Sequence, residues 1–128
     1  MPRRASKVTS YLNVDLEVGS RSELSPLIRS FGAINLFSGR TPRGHVATFE
    51  VTGLSRSPDS TLRGHIRRIR RLRGRARRLW QTAVRRDFNI GVQAGRKPHA
   101  FELVLTPATV RAVAGVHAGI VLTVYAVE

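Results

Sequence analysis

An arginine-rich segment between residues 60 and 86 constrains the fold of this chain more than any other feature. Its apolar residues recur at steps of three and four, which is the spacing of an amphipathic helix. These residues are Leu62, Ile66, Ile69, Leu72, Ala76, Leu79, Trp80 and Ala83. Arginines occupy most of the remaining positions, and no acid interrupts them. The segment therefore predicts helical structure with an apolar stripe on one side and guanidinium groups on the others.

Gly74 lies in the middle of this pattern and leaves two arrangements open. Glycine in a helix interior costs about 1 kcal/mol relative to alanine, because it loses more backbone freedom on folding than any other residue. We therefore expect either one long helix with a weak point or two helices that meet near Gly74. In both cases Asp87 marks the end of the helical segment.

The net charge of the chain is concentrated in the same segment. The sequence has 22 Lys+Arg against 8 Asp+Glu and a formal net charge of +14. Eleven of the arginines lie between residues 60 and 86, so the other residues together carry only +3. The only lysines are Lys7 and Lys97, and a G+C-rich coding background would explain this arginine excess without any function.

The residues before the arginine-rich segment predict three strands and one helix. Residues 9–18 alternate between apolar and polar positions, which predicts a half-buried strand with Leu12 inward and Tyr11 outward. Helical spacing follows over residues 22–31 and ends at a glycine. Two further strands are predicted at residues 33–37 and 45–52.

The residues after the segment predict strands around one more helix. Residues 88–92 alternate briefly and predict a short strand or an extended hook. Residues 99–105 predict a strand with Phe101 and two leucines inward. A threonine N-cap followed by proline starts a helix over residues 106–114, and residues 119–127 predict a last strand rich in β-branched side chains.

The resulting element order is β-α-β-β-α-(β)-β-α-β. It favours an α+β fold in which a mixed or antiparallel sheet is covered on one face by helices. A length of 128 residues fits one domain, which we place at residues 9–128. We expect residues 1–8, which are basic, to form a flexible N-terminus.

The C-terminal part of the chain carries a resemblance. A strand, a Thr106-Pro107 helix start, a short helix and a β-rich strand ending in Val124-Tyr125 follow one another there. This run resembles a group of small bacterial α+β proteins of unknown function that end in the same order of elements. The resemblance implies the α+β fold and a bacterial origin, but no activity and no functional residue.

The arginines predict a polyanion-binding surface. Guanidinium groups spaced along a helix match the repeating phosphates of nucleic acid and release counterions on binding. No helix-turn-helix, zinc finger or RNP-type pattern accompanies them, so we expect RNA or DNA to be bound with little sequence preference. The candidate residues are Arg63, Arg67, Arg70, Arg71, Arg77, Arg78 and Arg85. A solvated basic face without a ligand and a docking surface for an acidic protein remain as alternatives.

A second candidate surface comes from the outward positions of the predicted strands. Four of the eight acids fall there, so the open face of the sheet would be mildly acidic. The residues singled out are Tyr11, Asp15, Glu17, Glu50 and Tyr125, with Glu102 on a later strand. Paired carboxylates can serve acid–base catalysis, but on one strand they more often face solvent. We predict instead a partner or homodimer face, as in a protein-interaction or immunity-type accessory module.

Residue types and motifs exclude several classes of site. The chain has no cysteine, which excludes disulfides, thiolate metal sites and a cysteine nucleophile. Its four histidines have no ligand-like spacing, and the HExxH, Walker A, GxGxxG and GxSxG motifs are absent. We therefore predict a protein that is not an enzyme and that uses no metal and no cofactor.

The sequence also predicts a soluble, cytoplasmic protein without membrane contact. No apolar stretch of a signal peptide follows its basic start. The longest uncharged stretch, residues 112–127, is shorter than the roughly 20 residues that span a bilayer. Gly115 and His117 interrupt it as well.

Overall fold

The computed structural model describes residues 8–50 and 57–127. The helices and strands of this part are β1 (Ser10–Ser20), α1 (Ser25–Phe31), β2 (Ile34–Thr41), β3 (Gly44–Glu50), α2 (Pro58–Arg70), α3 (Gly74–Thr82), β4 (Arg85–Gln93), α4 (Pro107–Gly115) and β5 (Gly119–Tyr125). They confirm the α+β class and roughly the predicted order. The flexible N-terminus predicted for residues 1–8 lies outside the described residues except for Val8, as do residues 51–52 of the predicted third strand.

All five strands belong to one mixed sheet in the order β2-β3-β1-β4-β5. The pairs β2–β3, β3–β1 and β1–β4 are antiparallel, whereas β4 and β5 are parallel. Parallel neighbours need a crossover connection, and here α4 lies within it. β1 therefore occupies the centre of the sheet, and β2 and β5 form its two edges.

The hydrophobic core lies between the sheet and the helices. Val14, Leu16 and Val18 of β1 are completely buried on the face that α2 and α3 contact. The rings of Phe31 and Phe49 meet there with centroids 4.6 Å apart. The alternate side chains of β1 point to the other face, on which no helix packs in the described part of the chain. The one-sided cover predicted for the sheet agrees with this arrangement.

The arginine-rich segment forms two helices, and Gly74 separates them. α2 ends at Arg70, and α3 begins at Gly74, whose φ is +55°. Glycine enters this left-handed region without the steric cost that a Cβ would bring. The expectation of two helices that meet near Gly74 is therefore confirmed.

The helical segment ends earlier than expected. α3 stops at Thr82, and Ala83 leaves the helix with ψ at 143°. Arg85 then begins β4 and pairs with Gly19 of β1. The expectation of a helix that reaches Asp87 was wrong, because antiparallel pairing with the central strand takes these residues into the sheet.

Two strand predictions after the helices need correction. The hook predicted at residues 88–92 is part of the nine-residue β4, which pairs with both β1 and β5. Residues 99–105 are not a strand in the structure. This stretch crosses instead to the start of α2, where Leu103 and Leu105 pack against the core and the Thr106 amide donates to Asp59 Oδ1 at 2.8 Å. Phe101, predicted inward, is 38% exposed.

The alternation of β1 reverses near its start. The pairing register with β4 shifts between Tyr11 and Asn13, and a bulge of this kind inserts one residue that changes the facing of its neighbours. Leu12 is therefore 52% exposed, whereas Tyr11 packs against the core and donates its hydroxyl to Thr61 Oγ1 at 2.9 Å. The sequence prediction of Leu12 inward and Tyr11 outward was wrong.

The described helices are short relative to a membrane. None of them is both long enough and apolar enough to cross a bilayer. The longest is α2, whose 13 residues correspond to about 20 Å.

Candidate polyanion-binding surface

The packing of α2 and α3 decides where their arginines point. α2 buries Leu62, Ile66 and Ile69 against the sheet, and α3 buries Leu79 and Trp80. Because these apolar stripes face the core, most of the arginines between them face solvent. The helical layer therefore carries its positive charge on its outer side.

Eight arginines are exposed on this layer, and we call them the basic surface. They are Arg63, Arg67, Arg70, Arg71, Arg73, Arg75, Arg77 and Arg78. Six of them were predicted from the sequence. Arg73 and Arg75 were missed, because the break at Gly74 changes the helical phase that a continuous pattern assumes. Positive charge on both sides of a glycine could have indicated them.

Only one arginine of the basic surface pairs with an acid in the described part of the chain. Arg63 pairs with Asp59, Nε to Oδ2 at 3.3 Å. Within residues 8–50 and 57–127, none of the other seven arginines forms an ion pair. Asp59 itself lies at the start of α2 and has a pKa below its ordinary value, chiefly because the Thr106 amide donates to its carboxylate. Asp59 thus mainly ties the start of α2 to Thr106 at the start of α4.

Arg85 lies apart from the helices, contrary to the prediction. It begins β4 and pairs with Asp87 at 3.6 Å. Its neighbours include Arg43 and His45 of the β2–β3 hairpin, and together they line a depression of about 590 Å³. We call it the hairpin depression. Its remaining lining residues are Gly19, Ser20, Thr41, Pro42, Val46 and Val84.

Two arginines of the segment have structural roles. Arg68 donates from Nε to the Gly32 carbonyl at 3.1 Å and ties α2 to the end of α1. Arg86 donates from Nε to the His117 carbonyl at 2.9 Å and from Nη1 to the carbonyl of Trp80, also at 2.9 Å. Nη1 also reaches two other carbonyls at the end of α3, those of Gln81 and Ala83. Both guanidinium groups are therefore committed to the fold.

Trp80 is a core residue and not a stacking platform. Only 6% of it is exposed, and its indole N–H donates to the Val116 carbonyl at 3.2 Å. The other ring on these helices, His65, is completely buried between Phe31 and Phe88. The basic surface thus offers charge and hydrogen-bond donors but no exposed ring.

The acidic face lies on the side of the sheet opposite the helices. Asp15 of β1 is directly opposite Glu50 of β3, and Glu17 is opposite Asp87 of β4. Burial, followed by repulsion from Glu50 and Glu17, raises the pKa of Asp15 to about 6. Among the described residues, no group of three His, Cys, Asp or Glu could hold a metal ion.

The structure divides the residues predicted for the open sheet face. Asp15, Glu17 and Glu50 lie together on it, and Tyr125 lies on the same face, close to Gly91. The bulge places Tyr11 on the helical side instead. Glu102 is exposed outside the sheet, since residues 99–105 are not a strand.

Comparisons with known proteins assign neither a family nor a fold relative. No protein-family model, no curated protein and no solved structure matches this chain. The resemblance of the C-terminal elements to small bacterial α+β proteins therefore stays a prediction. The function has to be argued from the surfaces themselves.

Proposed function

We propose that this protein is a non-enzymatic binding protein whose basic surface engages a polyanion, either RNA or DNA, with little sequence preference. One observation carries the proposal: seven exposed arginines of α2, α3 and the residues between them have no carboxylate partner among residues 8–50 and 57–127. Charges of one sign at this density attract counterions, and phosphates that replace them gain the entropy of counterion release.

The dimensions of the two helices suit a chain of phosphates. α2 has 13 residues and α3 has nine, which correspond to about 20 Å and about 14 Å. A single nucleic-acid strand carries one phosphate per roughly 3.4 Å of duplex axis. Several phosphates can therefore lie within reach of each helix, and the multiple weak contacts add.

The composition of the basic surface favours binding that ignores base sequence. Bases are read through groove edges or by stacking on exposed rings. The two rings on α2 and α3, His65 and Trp80, are both buried. A guanidinium group can also read guanine in a groove, but no groove-reading motif accompanies these arginines in the sequence. We therefore expect phosphates, which carry no sequence information, as their main contacts.

The distribution of acids supports one orientation of the bound polyanion. Asp15, Glu17 and Glu50 lie on the sheet face that points away from α2 and α3. A polyanion is repelled from that face and attracted to the other. The molecule is therefore two-sided, and contact on the helical side is favoured from the first encounter.

The test is a charge-removal series measured by fluorescence anisotropy. A labelled single-stranded RNA and a labelled DNA duplex are titrated at several salt concentrations with the wild type and with a five-site Arg→Gln variant. The five sites are Arg67, Arg70, Arg71, Arg77 and Arg78. We expect the logarithm of the binding constant to fall with the logarithm of the salt concentration by about 0.7 to 0.9 per phosphate contacted. The variant should lose most of this slope and bind at least about 100-fold more weakly at low salt.

A matched control removes the same charge from other exposed positions. Its sites are Arg21, Arg29, Arg96, Lys97 and Arg111, each replaced by glutamine. We expect it to retain most of the affinity, because none of its sites belongs to α2, α3 or the residues between them. Equal losses in both variants, or unchanged binding by the helix variant, would contradict the proposal. Thermal unfolding of both variants checks that they remain folded.

An acidic protein segment is a second candidate ligand, and the hairpin depression favours it. Arg43, His45 and Arg85 line this depression together with the apolar side chains of Val46 and Val84. A concave site with both cationic and apolar walls suits a peptide that combines carboxylates with an apolar anchor. Binding of a Glu-rich, leucine-containing peptide that survives high salt and is lost in a Val84→Ser variant would favour this function over the first.

A further inference from the structure

β5 leaves one edge of the sheet open. It pairs with β4 on one side and has no neighbouring strand on the other in the described part of the chain. Its residues, Gly119–Tyr125, include no charge and no proline. Natural proteins place charged residues or proline on an exposed edge strand to prevent its pairing with other chains. The free N–H and C=O groups of β5 therefore remain open to another strand.

The side chains of β5 on the helical side of the sheet are also uncovered. Ile120, Leu122 and Val124 are 41%, 59% and 56% exposed. Their partners in β4 are Phe88, Ile90 and Val92, which are all buried in the core. A core face that continues across the sheet and ends in exposed aliphatic residues is typical of a surface that another protein covers.

The opposite edge of the sheet differs from β5. The register of β2 shifts between Asn35 and Phe37, and the strand carries Arg40 near its end. A bulge and a charge are two of the devices that protect an edge from pairing. Pairing of β2 with β5 would also be heterologous and could continue into filaments, whereas pairing of β5 with itself closes after two copies.

The charge distribution favours a second copy as the occupant of this edge. Residues 98–127 contain one arginine and one glutamate and carry no net charge, although the whole chain carries +14. An acidic partner would be drawn to the basic surface and not to β5. Two copies, in contrast, can meet at β5 without bringing charged side chains of the strand against each other. We infer that β5 pairs in antiparallel fashion with β5 of a second copy, so that the two sheets join into one of ten strands.

The register of this pairing follows from symmetry. A two-fold axis perpendicular to the sheet places the helices of both copies on the same face of the joined sheet. Residues that lie opposite each other across the junction must therefore point to the same face. The register that pairs all seven residues has its centre at Leu122. Leu122 then lies opposite its own counterpart, and Ile120 lies opposite Val124. Six aliphatic side chains form one apolar ridge across the junction.

Single cysteines test both the pairing and its register, because the chain has no cysteine of its own. In a Leu122→Cys variant the two Cβ atoms would be about 4.5–5.5 Å apart, from which a disulfide can close with small adjustments. In a Val124→Cys variant they would be four residues apart along the strands, or about 13 Å. After mild oxidation, we expect a covalent dimer for Leu122→Cys, none for Val124→Cys, and one again for the Ile120→Cys/Val124→Cys double variant.

Sedimentation equilibrium of the cysteine-free protein gives an independent readout. We expect the wild type to be mostly dimeric at a protein concentration of about 100 µM, which requires a Kd below that value, and Leu122→Lys to be monomeric at the same concentration. Val84→Lys should remain dimeric, because Val84 is as exposed as Leu122 but lies outside β5. A monomeric wild type, a Leu122→Lys variant that stays dimeric, or equal cross-linking at residues 122 and 124 would each overturn the inference.

Discussion

Replacing His65 by leucine should change the response of the protein to acid. The imidazole is completely buried, and its Nε2 is 2.8 Å from the Val14 carbonyl. Among buried side chains of the described residues, Nδ1 of His65 is the one polar atom without a hydrogen-bond partner. Burial, together with the nearby charge of Arg68, lowers the pKa of His65 to about 4, although the bond to Val14 opposes the shift. The folded protein therefore keeps this ring neutral at pH values where the unfolded chain protonates it.

The size of the effect follows from the two pKa values. The unfolded chain binds a proton near pH 6.5 and the folded protein only near pH 4. Neutral His65 therefore costs the folded protein nothing above pH 6.5. Between pH 6.5 and pH 4 the free energy of unfolding falls, because only the unfolded chain takes up the proton. The loss amounts to about 3 kcal/mol. His65→Leu should lack this loss, but it leaves the Val14 carbonyl without its donor, which costs about 1 kcal/mol at every pH.

The assay is urea unfolding between pH 4 and 7.5, followed by the fluorescence of the single tryptophan. We expect the wild type to be about 1 kcal/mol more stable at pH 7.5 and about 2 kcal/mol less stable at pH 4 than His65→Leu. The titration of Asp15 has the opposite sign, but both proteins share it, so it cancels in the difference. His99→Gln, which removes an exposed imidazole, serves as the control. A wild-type-to-leucine difference that stays constant across this pH range would refute the reasoning.

Three further substitutions should move stability in stated directions, measured by urea unfolding with circular dichroism. Asp15→Asn should stabilise the protein by about 1 kcal/mol at pH 7.5, because the raised pKa disfavours the Asp15 carboxylate above pH 6. Arg86→Lys should destabilise it by about 2 kcal/mol, since one ammonium cannot reach the carbonyls of α3 and the α4–β5 connection together. Tyr11→Phe should cost about 1 kcal/mol through the lost hydrogen bond to Thr61.

Each of these substitutions has a matched comparison. The gain in Asp15→Asn should vanish near pH 3.5, where both side chains are neutral, and a constant gain would contradict the titration argument. Compared with Arg86→Lys, the single substitution Arg85→Lys should have little effect on stability, because Arg85 is half exposed and forms one ion pair among the described residues. Tyr125→Phe changes an exposed hydroxyl and should leave stability unchanged. Equal losses in the two tyrosine variants would mean that the bond of Tyr11 contributes nothing.

Local sequence patterns correctly predicted those helices and strands whose type and buried side are determined by their own residues. The alternation in β1 and the helical spacing of α2 and α3 come from burial of one side of each element, and that side is legible in the sequence. The break at Gly74 was one of the two arrangements expected, because the cost of glycine in a helix interior is also a property of the residue itself. Six of the eight arginines of the basic surface follow directly from the helical pattern.

Strand pairing, side-chain facing and the roles of individual arginines depend on contacts between distant residues, which local patterns do not show. β4 and residues 99–105 both alternate between apolar and other residues, but only β4 finds places beside β1 and β5. The bulge that turns Tyr11 inward is a shift of one residue in pairing with β4. Arg68 and Arg86 look like their exposed neighbours, because their carbonyl partners Gly32 and His117 are 36 and 31 residues away.

The carbonyl contacts of Arg86 bear on how this sequence can vary. Exposed arginines such as Arg67 and Arg77 can change to lysine as the base composition of a gene drifts, because their charge is conserved. Arg86 has less freedom, since its planar group serves the end of α3 and the carbonyl of His117 together. Chains descended from the same ancestor should therefore exchange arginine and lysine along α2 and α3 while position 86 stays arginine. An arginine excess that looks uniform in the sequence would then reflect two requirements, positive charge along the helices and hydrogen-bond geometry at the junction of α3 with β4.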